Sequence, residues 1–170
     1  MLRTATAALA AVLTLGGLST ATASADVVES TIQLAFYHPH APTVAPDQAH
    51  VLFADVNATR ARLGLSVLVE DARLDRLAMA KAEDMADRHY FGHTDPDGVT
   101  FEDRIRESGF RFSFAAENIA FDEDAAHANQ AFLHSAGHYQ NIVDPQDRRM
   151  GTAVVAAGDG ELFFVEEFAD

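Results

Sequence analysis

Apolar residues recur with helical spacing in the first part of the chain that shows a regular pattern. From about Asp47, one face of a helix is formed by Leu52, Val56, Thr59 or Arg60, and Leu63. Gly64 follows directly, and glycine is common just beyond the last turn of a helix. The pattern therefore predicts an amphipathic helix that begins near Asp47 and ends before Gly64.

Two further helices are indicated by their N-caps. Asp71 precedes an apolar stripe, and Thr100 with Asp103 has the spacing of a capping box for a short helix through Ile105 that ends at Gly109. The residues of the stripe are Leu74, Leu77, Ala78, Lys81 or Ala82, and Met85. Charged residues occupy the remaining positions of that helix, so one face is expected in the core and the other in solvent.

A strand and a fourth helix are expected next. Phe110, Phe112 and Phe114 alternate with polar residues, which is typical of a strand with one buried face. An alanine-rich segment from about Asp124 to Ser135 then predicts a helix that Gly137 ends.

The last part of the chain predicts a β-hairpin. Two runs rich in β-branched and aromatic residues, Met150–Ala157 and Glu161–Phe168, flank a glycine-containing turn. Helices followed by a strand, a helix and a terminal hairpin predict an α+β domain built in layers.

The N-terminal residues have the features of an export signal. Arg3 precedes an apolar run from Ala5 to Leu18, and Ala23 and Ala25 offer the small side chains of a cleavage site. We expect residues 1–25 to be a signal peptide, since the apolar run is too short to favour the alternative of a retained anchor. Residues 26–46 contain three prolines and predict a linker or arm, with the folded domain at 47–170.

Composition narrows the classes of partner. The formal net charge is −14, and such a chain repels both nucleic-acid phosphates and anionic lipid surfaces. The chain contains no cysteine, so it can form neither disulfides nor a cysteine-linked lipid anchor. We therefore expect a secreted protein that has no nucleic-acid partner and no stable membrane anchor.

The histidines form two pairs with four-residue spacing, His89 with His93 and His134 with His138. On a helix, such a pair can bind zinc in the manner of the metalloproteases. Neither pair has the glutamate that follows the first histidine in that motif, and a glycine just before each second histidine indicates a helix end. A metalloprotease motif is therefore not supported.

Glu117 lies in a run in which Asn118 is the one other polar residue, between Phe114 and Phe121. Because burying an unpaired carboxylate is costly, Glu117 is expected either to be paired structurally or to line a cleft. The two interpretations have similar weight. Imidazole and carboxylate groups together can bind a divalent metal or transfer protons near neutral pH.

Three blocks of sequence, in this order, resemble the CAP family (cysteine-rich secretory, antigen 5 and pathogenesis-related-1 proteins), in particular its bacterial branch. They are the segment Met85–His93, the Ala-Glu117-Asn-Ile-Ala motif, and Ser135-Ala-Gly-His138. The resemblance implies a three-layer α-β-α sandwich with a C-terminal β-hairpin. It also implies a binding cleft at His93, Glu117, Ser135 and His138, and His93, Glu117 and His138 as ligands of Zn²⁺ or another divalent cation.

The sequence departs from this family in ways that concern the metal. Eukaryotic members carry a second glutamate near the position of Ser135, and its absence leaves two imidazoles and one carboxylate. Zinc would therefore need water or another donor, and Glu166 lies where the bacterial branch often has glutamine.

Three functions are consistent with these residues. We expect a secreted CAP-domain protein whose cleft binds an extracellular ligand or a divalent metal without turnover; the ligand could be a small molecule, a lipid or an envelope component. The alternative is a metal-assisted hydrolase that uses His93, Glu117 and His138. No nucleophile with an adjacent base is identifiable, so the catalytic residues stay unassigned. A structural envelope module ranks third.

Overall fold

The computed structural model of the protein describes residues 41–158 and 160–170. Within these residues the chain forms five α-helices and five β-strands. The helices are α1 (Pro46–Arg62), α2 (Ala72–Arg88), α3 (Phe101–Glu107), α4 (Ala125–His134) and α5 (Ala136–Ile142). The strands are β1 (Thr43–Val44), β2 (Val69–Glu70), β3 (Ala115–Asp122), β4 (Arg149–Ala156) and β5 (Leu162–Ala169).

The strands form a single sheet in the order β1-β4-β5-β3, in which neighbouring strands are antiparallel. The short β2 pairs in parallel with the beginning of β4, where Val69 lies opposite Arg149. β4 and β5 form the predicted hairpin and pair over their full length, from Arg149 opposite Ala169 to Ala156 opposite Leu162. β4 thus contacts three other strands and organises the sheet.

Helices cover both faces of the sheet. On one face, α2 packs through Ala78, Ala82 and Met85 against Ile119 and Val165 of the sheet. On the opposite face, a larger core joins α1, α4 and α5 to the alternate residues of β4 and β5; it includes Leu52, Val56, Phe132, Ile142, Met150, Val154, Phe164 and Phe168. These two cores make the three-layer α-β-α sandwich that the resemblance implied.

Gly151 allows the start of α2 to lie directly on β4. A Cβ atom at this position would lie 2.2 Å from the backbone nitrogen of Asp75 and 2.2 Å from the carbonyl carbon of Leu74. The contact is completed by Asp75, whose Oδ1 accepts a hydrogen bond from the backbone N–H of Thr152 at 3.0 Å. Any side chain at position 151 would separate the helix from the sheet.

The predicted strand at Phe110–Phe114 is wrong, because the strand begins later, at Ala115. Phe110 is buried and its ring lies 4.6 Å from each of two guanidinium groups, those of Arg73 and Arg149. Packing against distant residues therefore fixes this aromatic segment without strand pairing.

Two helix ends also differ from the predictions. The fourth helix ends at His134, and Gly137 lies inside α5 instead of ending α4. α1 ends at Arg62, so Leu63 is 51% exposed and does not extend the buried face. Arg60 completes that face. Its buried guanidinium donates to the backbone carbonyl of Ser66 and to those of Ile142 and Asp144 at the end of α5. Gly64 has a φ of +73°, as expected for a helix C-terminus.

The last residues of the predicted arm belong to the sheet. Thr43 and Val44 form β1 and pair with Ala156 and Val155 of β4. The predicted signal peptide and most of the arm, residues 1–40, lie outside the described residues. Among the helices of the described part, none combines the length and apolar character needed to cross a membrane.

Candidate functional site

Glu117 is buried on β3, with both carboxylate oxygens engaged. It shares a face of the sheet with Ile119, the face covered by α2. Its Oε1 lies 2.8 Å from Nδ1 of His93, and its Oε2 accepts a hydrogen bond from Nη2 of Arg104 at 2.6 Å. The Glu117 side chain is 1% exposed, so the cost of burying its charge is offset by a close cation and an imidazole.

A tight loop between α2 and α3 carries His93 to this carboxylate. α2 ends at Arg88 and is followed by the C-cap residue His89, which has a left-handed φ of 53°. Beyond His93, the Oδ1 of Asp95 accepts hydrogen bonds from the backbone N–H groups of Val99 and Asp97. These hydrogen bonds lower the pKa of Asp95 and close a turn between Asp95 and Val99. The loop is thus ordered by its own hydrogen bonds.

Arg104 holds the loop and β3 together. The predicted capping box is present at the start of α3, with Thr100 and Asp103 bonded reciprocally. This start places Arg104 one turn into the helix, where Nη1 donates to the backbone carbonyl of His93 at 2.9 Å. One guanidinium therefore fixes both the position of His93 and the charge of Glu117.

A second cation, Lys81, lies beneath the same loop. Its side chain is buried in α2, and Nζ donates to the hydroxyl of Tyr90 at 3.0 Å and to the carbonyl of His93 at 3.5 Å. The Tyr90 hydroxyl in turn donates to Asp84. Burial lowers the pKa of Lys81, and burial together with Asp84 raises the pKa of Tyr90.

Glu167 adds a second buried carboxyl next to Glu117. The two residues are cross-strand partners on β5 and β3. Burial raises the pKa of Glu167 well above its ordinary value, and the neighbouring charge of Glu117 raises it further, while Arg104 opposes the shift. The base of the site therefore consists of two carboxyl groups and two cations in the interior.

Above this base is a cleft of about 560 Å³. It is lined by His93, Thr94, Thr100, Phe101, Glu102 and Glu117. The His93 side chain is 51% exposed, in contrast to the carboxylate that holds it. The cleft thus presents an accessible imidazole on a fixed, buried support.

His138 and Ser135 do not line this cleft. His138 lies on α5, and its ring packs edge-on against Phe132 with the ring centroids 5.1 Å apart. Burial lowers the pKa of His138, and its electrostatic interaction with nearby His93 lowers it further. Ser135 begins α5 but makes no capping hydrogen bond with its side chain. The structure therefore brings His93 into contact with Glu117 and places His138 within electrostatic range of His93.

A polar cluster on the opposite face of the sheet supports α5. Asn118 Nδ2 donates to the carbonyl of His138 at 3.2 Å and to Oε2 of Glu166 at 2.9 Å. Asn141 Nδ2 donates to the side-chain oxygen of Asn118 at 2.8 Å. Glu166 is fully buried without a cation, and burial raises its pKa to about 8. This cluster positions the backbone of His138 from below.

The arrangement does not fit the expected metal ligands. Each oxygen of Glu117 already has a partner, and one of them is the guanidinium of Arg104, whose charge opposes a divalent cation. Within the described residues, the group of three potential ligands whose atoms all lie within 4.8 Å of one another is Glu123, Asp124 and His127. That group is exposed, and carboxylates in such positions are common without a metal.

The sequence signal for this site was incomplete. The helix predicted through Ile105 contains Arg104, and the apolar stripe has Lys81 as an alternative to Ala82. Neither residue is predicted to belong to the site. The sequence feature that could have pointed to Lys81 is a lysine surrounded by alanine and methionine at a buried helical position. For Glu167, it is a second acidic residue within an otherwise apolar strand.

Comparison with known proteins identifies relatives over most of the described domain. The model of the CAP, or cysteine-rich secretory protein, family matches residues 53–168. The uncharacterized protein YkwD of Bacillus subtilis (strain 168) is 34% identical over 103 residues. The matched region covers 60% of this chain and 40% of YkwD.

Solved structures with a similar fold include an SCP-domain protein. An extracellular protein containing an SCP domain from Bacillus anthracis has 30% identity and a TM-score of 0.66, and the match covers 73% of this chain and 40% of that one. An outer surface protein from Borrelia burgdorferi has 21% identity and a TM-score of 0.72, with 78% and 98% of the two chains covered. The matches to YkwD and to the B. anthracis protein thus each span 40% of the relative's length.

Proposed function

Because the chain belongs to the CAP family of cysteine-rich secretory proteins, we propose that it acts outside the cell and binds a ligand in the His93–Glu117 cleft without turnover. Export is supported by the signal-peptide features of residues 1–25 and by the extracellular and outer-surface relatives. The binding proposal rests mainly on one observation, the half-exposed imidazole of His93 held at a cleft by buried Glu117.

The rigid contacts that hold His93 favour ligand binding over catalysis. Binding sites recognise ligands through a few polar groups held in fixed positions, and the contacts of Glu117 with His93 and Arg104 provide such rigidity. The Thr100 hydroxyl, which lines the cleft, is committed to Asp103 at 2.6 Å. Within the described residues no hydroxyl is hydrogen bonded to His93, so this imidazole holds no nucleophile in place.

The metal-assisted hydrolase remains a separate prediction and is less well supported. It would require Glu117 to exchange the guanidinium of Arg104 for a cation, and His138 to join the same coordination sphere. Titration of the protein with Zn²⁺ by isothermal calorimetry tests this alternative. Zinc binding that is abolished in a His93→Ala, His138→Ala double variant would support the metal site, and hydrolysis that depends on this zinc would contradict binding without turnover.

NMR can test the binding proposal directly. The ring resonances of the histidines would be recorded while a library of small polar molecules is added. We expect some of them to shift the resonance of His93 but not that of His127, which is exposed on α4 and serves as the internal reference. Saturation-transfer signals of the ligands that bind should be lost with His93→Ala and retained with His127→Ala. Equal binding by both variants would place the ligand elsewhere.

A further inference from the structure

The cleft offers hydrogen-bond acceptors almost without charged donors. Two of its six lining residues, Glu102 and Glu117, are carboxylates, and none is a lysine or arginine. The nearby cations are engaged: Arg104 by Glu117 and a backbone carbonyl, and buried Lys81 by Tyr90 and the same carbonyl. A ligand therefore meets the exposed Glu102 carboxylate at the surface of the cleft, where Arg106 is its partner, and meets Arg104 and Lys81 only as parts of the support.

His93 adds a further acceptor. A carboxylate accepts hydrogen bonds and donates none, so the contact with Glu117 requires that Nδ1 of His93 carries the proton. In the neutral imidazole the other nitrogen, Nε2, then has its lone pair available. A ligand group that contacts this nitrogen of the neutral ring must donate a hydrogen bond.

The remaining groups favour a positively charged donor over a neutral one. The Glu102 carboxylate is 68% exposed, and its exposed partner Arg106 lies at 3.3 Å. Phe101 supplies an aromatic surface, and ring faces attract ammonium groups. The chain also carries a formal net charge of −14, which attracts cations and repels anions over a distance.

We propose that the ligand class of the cleft is a primary ammonium on a short apolar stem, as in a lysine side chain. The ammonium would donate to Nε2 of His93 and to the Glu102 carboxylate, and the stem would lie against Phe101. This assignment rests on the proposed function, because it names the ligand class of the same cleft. It sets the protein apart from binders of phosphate or of anionic lipid.

The test compares two probes that differ by the charged group. Nα-acetyl-lysine amide and its isostere Nα-acetyl-norleucine amide would be titrated into the full chain while the His93 ring resonance is followed. We expect the lysine probe to bind about tenfold more tightly, which corresponds to about 1.4 kcal/mol. Added salt should weaken the lysine probe more than the norleucine probe.

Matched variants locate the effect. Glu102→Gln should weaken the lysine probe about threefold, the range expected for an exposed charge pair. Glu107→Gln, at an exposed position near the end of the same helix, should leave it unchanged. Equal affinities for the two probes would refute the ammonium assignment but leave ligand binding at His93 intact. If neither the probes nor the small-molecule library shifts His93, the proposed function fails as well.

Discussion

Two buried glutamates, Glu117 and Glu166, lie on opposite faces of the same sheet and have different partners. Glu117 faces α2, where Arg104 and His93 contact its oxygens. Glu166 faces the core formed with α1, α4 and α5, and its hydrogen-bond donor is the amide of Asn118. The backbones are almost equivalent, since each residue belongs to a cross-strand pair between β3 and β5, and the pairs are adjacent.

The difference shows that the partner, and not burial alone, determines what a buried carboxyl can do. A guanidinium compensates the charge of Glu117, so this carboxylate can hold an exposed imidazole at a cleft. An amide cannot compensate a charge, and burial raises the pKa of Glu166 to about 8. One face of the sheet is therefore built around an ion pair that reaches solvent, and the other around a neutral hydrogen-bonded cluster.

Removing the cation from the first face should have the largest effect. Arg104→Met leaves Glu117 buried beside Glu167 without a compensating charge, and we expect a loss of about 3–5 kcal/mol in the free energy of unfolding. Urea denaturation measures this change. Arg106→Met, in the same helix but exposed, is the control and should cost less than about 0.5 kcal/mol. Equal losses in the two variants would show that the ion pair contributes little.

Replacing Glu117 with glutamine should have an intermediate effect. The amide keeps the shape of the side chain, but its NH₂ group must face either the guanidinium of Arg104 or the Nδ1–H of His93, and both are donors. We expect Glu117→Gln to destabilise the fold by about 1–3 kcal/mol at neutral pH, measured by urea denaturation. A variant as stable as wild type would contradict the claim that Arg104 and His93 stabilise the charged form of Glu117.

The same substitution on the opposite face should have the opposite sign. Glu166 has a pKa of about 8 in the folded protein against an ordinary value of 4.5, so the folded state binds this proton more tightly than the unfolded state. Its contribution to stability is fully present below the ordinary pKa and is lost as pH rises toward 8. Glu166→Gln lacks this loss and still accepts the hydrogen bond of Asn118.

We therefore expect the stability of Glu166→Gln relative to wild type to rise by about 1.4 kcal/mol for each pH unit within this window. Urea denaturation at a series of pH values, with wild type and variant compared at each one, removes the contributions of other titrating groups. A difference that does not change with pH would mean that Glu166 is charged when folded.

Local signals in the sequence were sufficient for most of the secondary structure. The N-caps Asp71 and Thr100 mark helices that are present, because a cap acts on the helix that follows it directly. The alternation of Phe110–Phe114 predicted a strand that is not formed. Phe110 is instead held by guanidinium groups from α2 and β4. A local pattern contains no information about such distant contacts.

The site was only partly accessible to the same reasoning. The apolar surroundings of Glu117 predicted a paired or cleft-lining carboxylate, and the structure makes it both. Its pairing with Arg104 depends on how α3 packs against β3, which no spacing reveals. Glu166 and Glu167 are consecutive, and in a sheet with one solvent face one of them would be exposed; both are buried because helices cover both faces.

The position of β4 in the sheet has a consequence for folding. Strand β1 pairs with β4 through Thr43 and Ala156, and β2 pairs with β4 through Val69 and Arg149. Neither β1 nor β2 can therefore pair until β4, which is synthesised much later, is available. Such long-range pairing slows folding, because the entropy of closing a large loop is lost before the contacts form. Helices α1 to α3 have no sheet to pack against until β4 and β5 have been synthesised and have formed the hairpin. We therefore expect the domain to fold in one late, cooperative step.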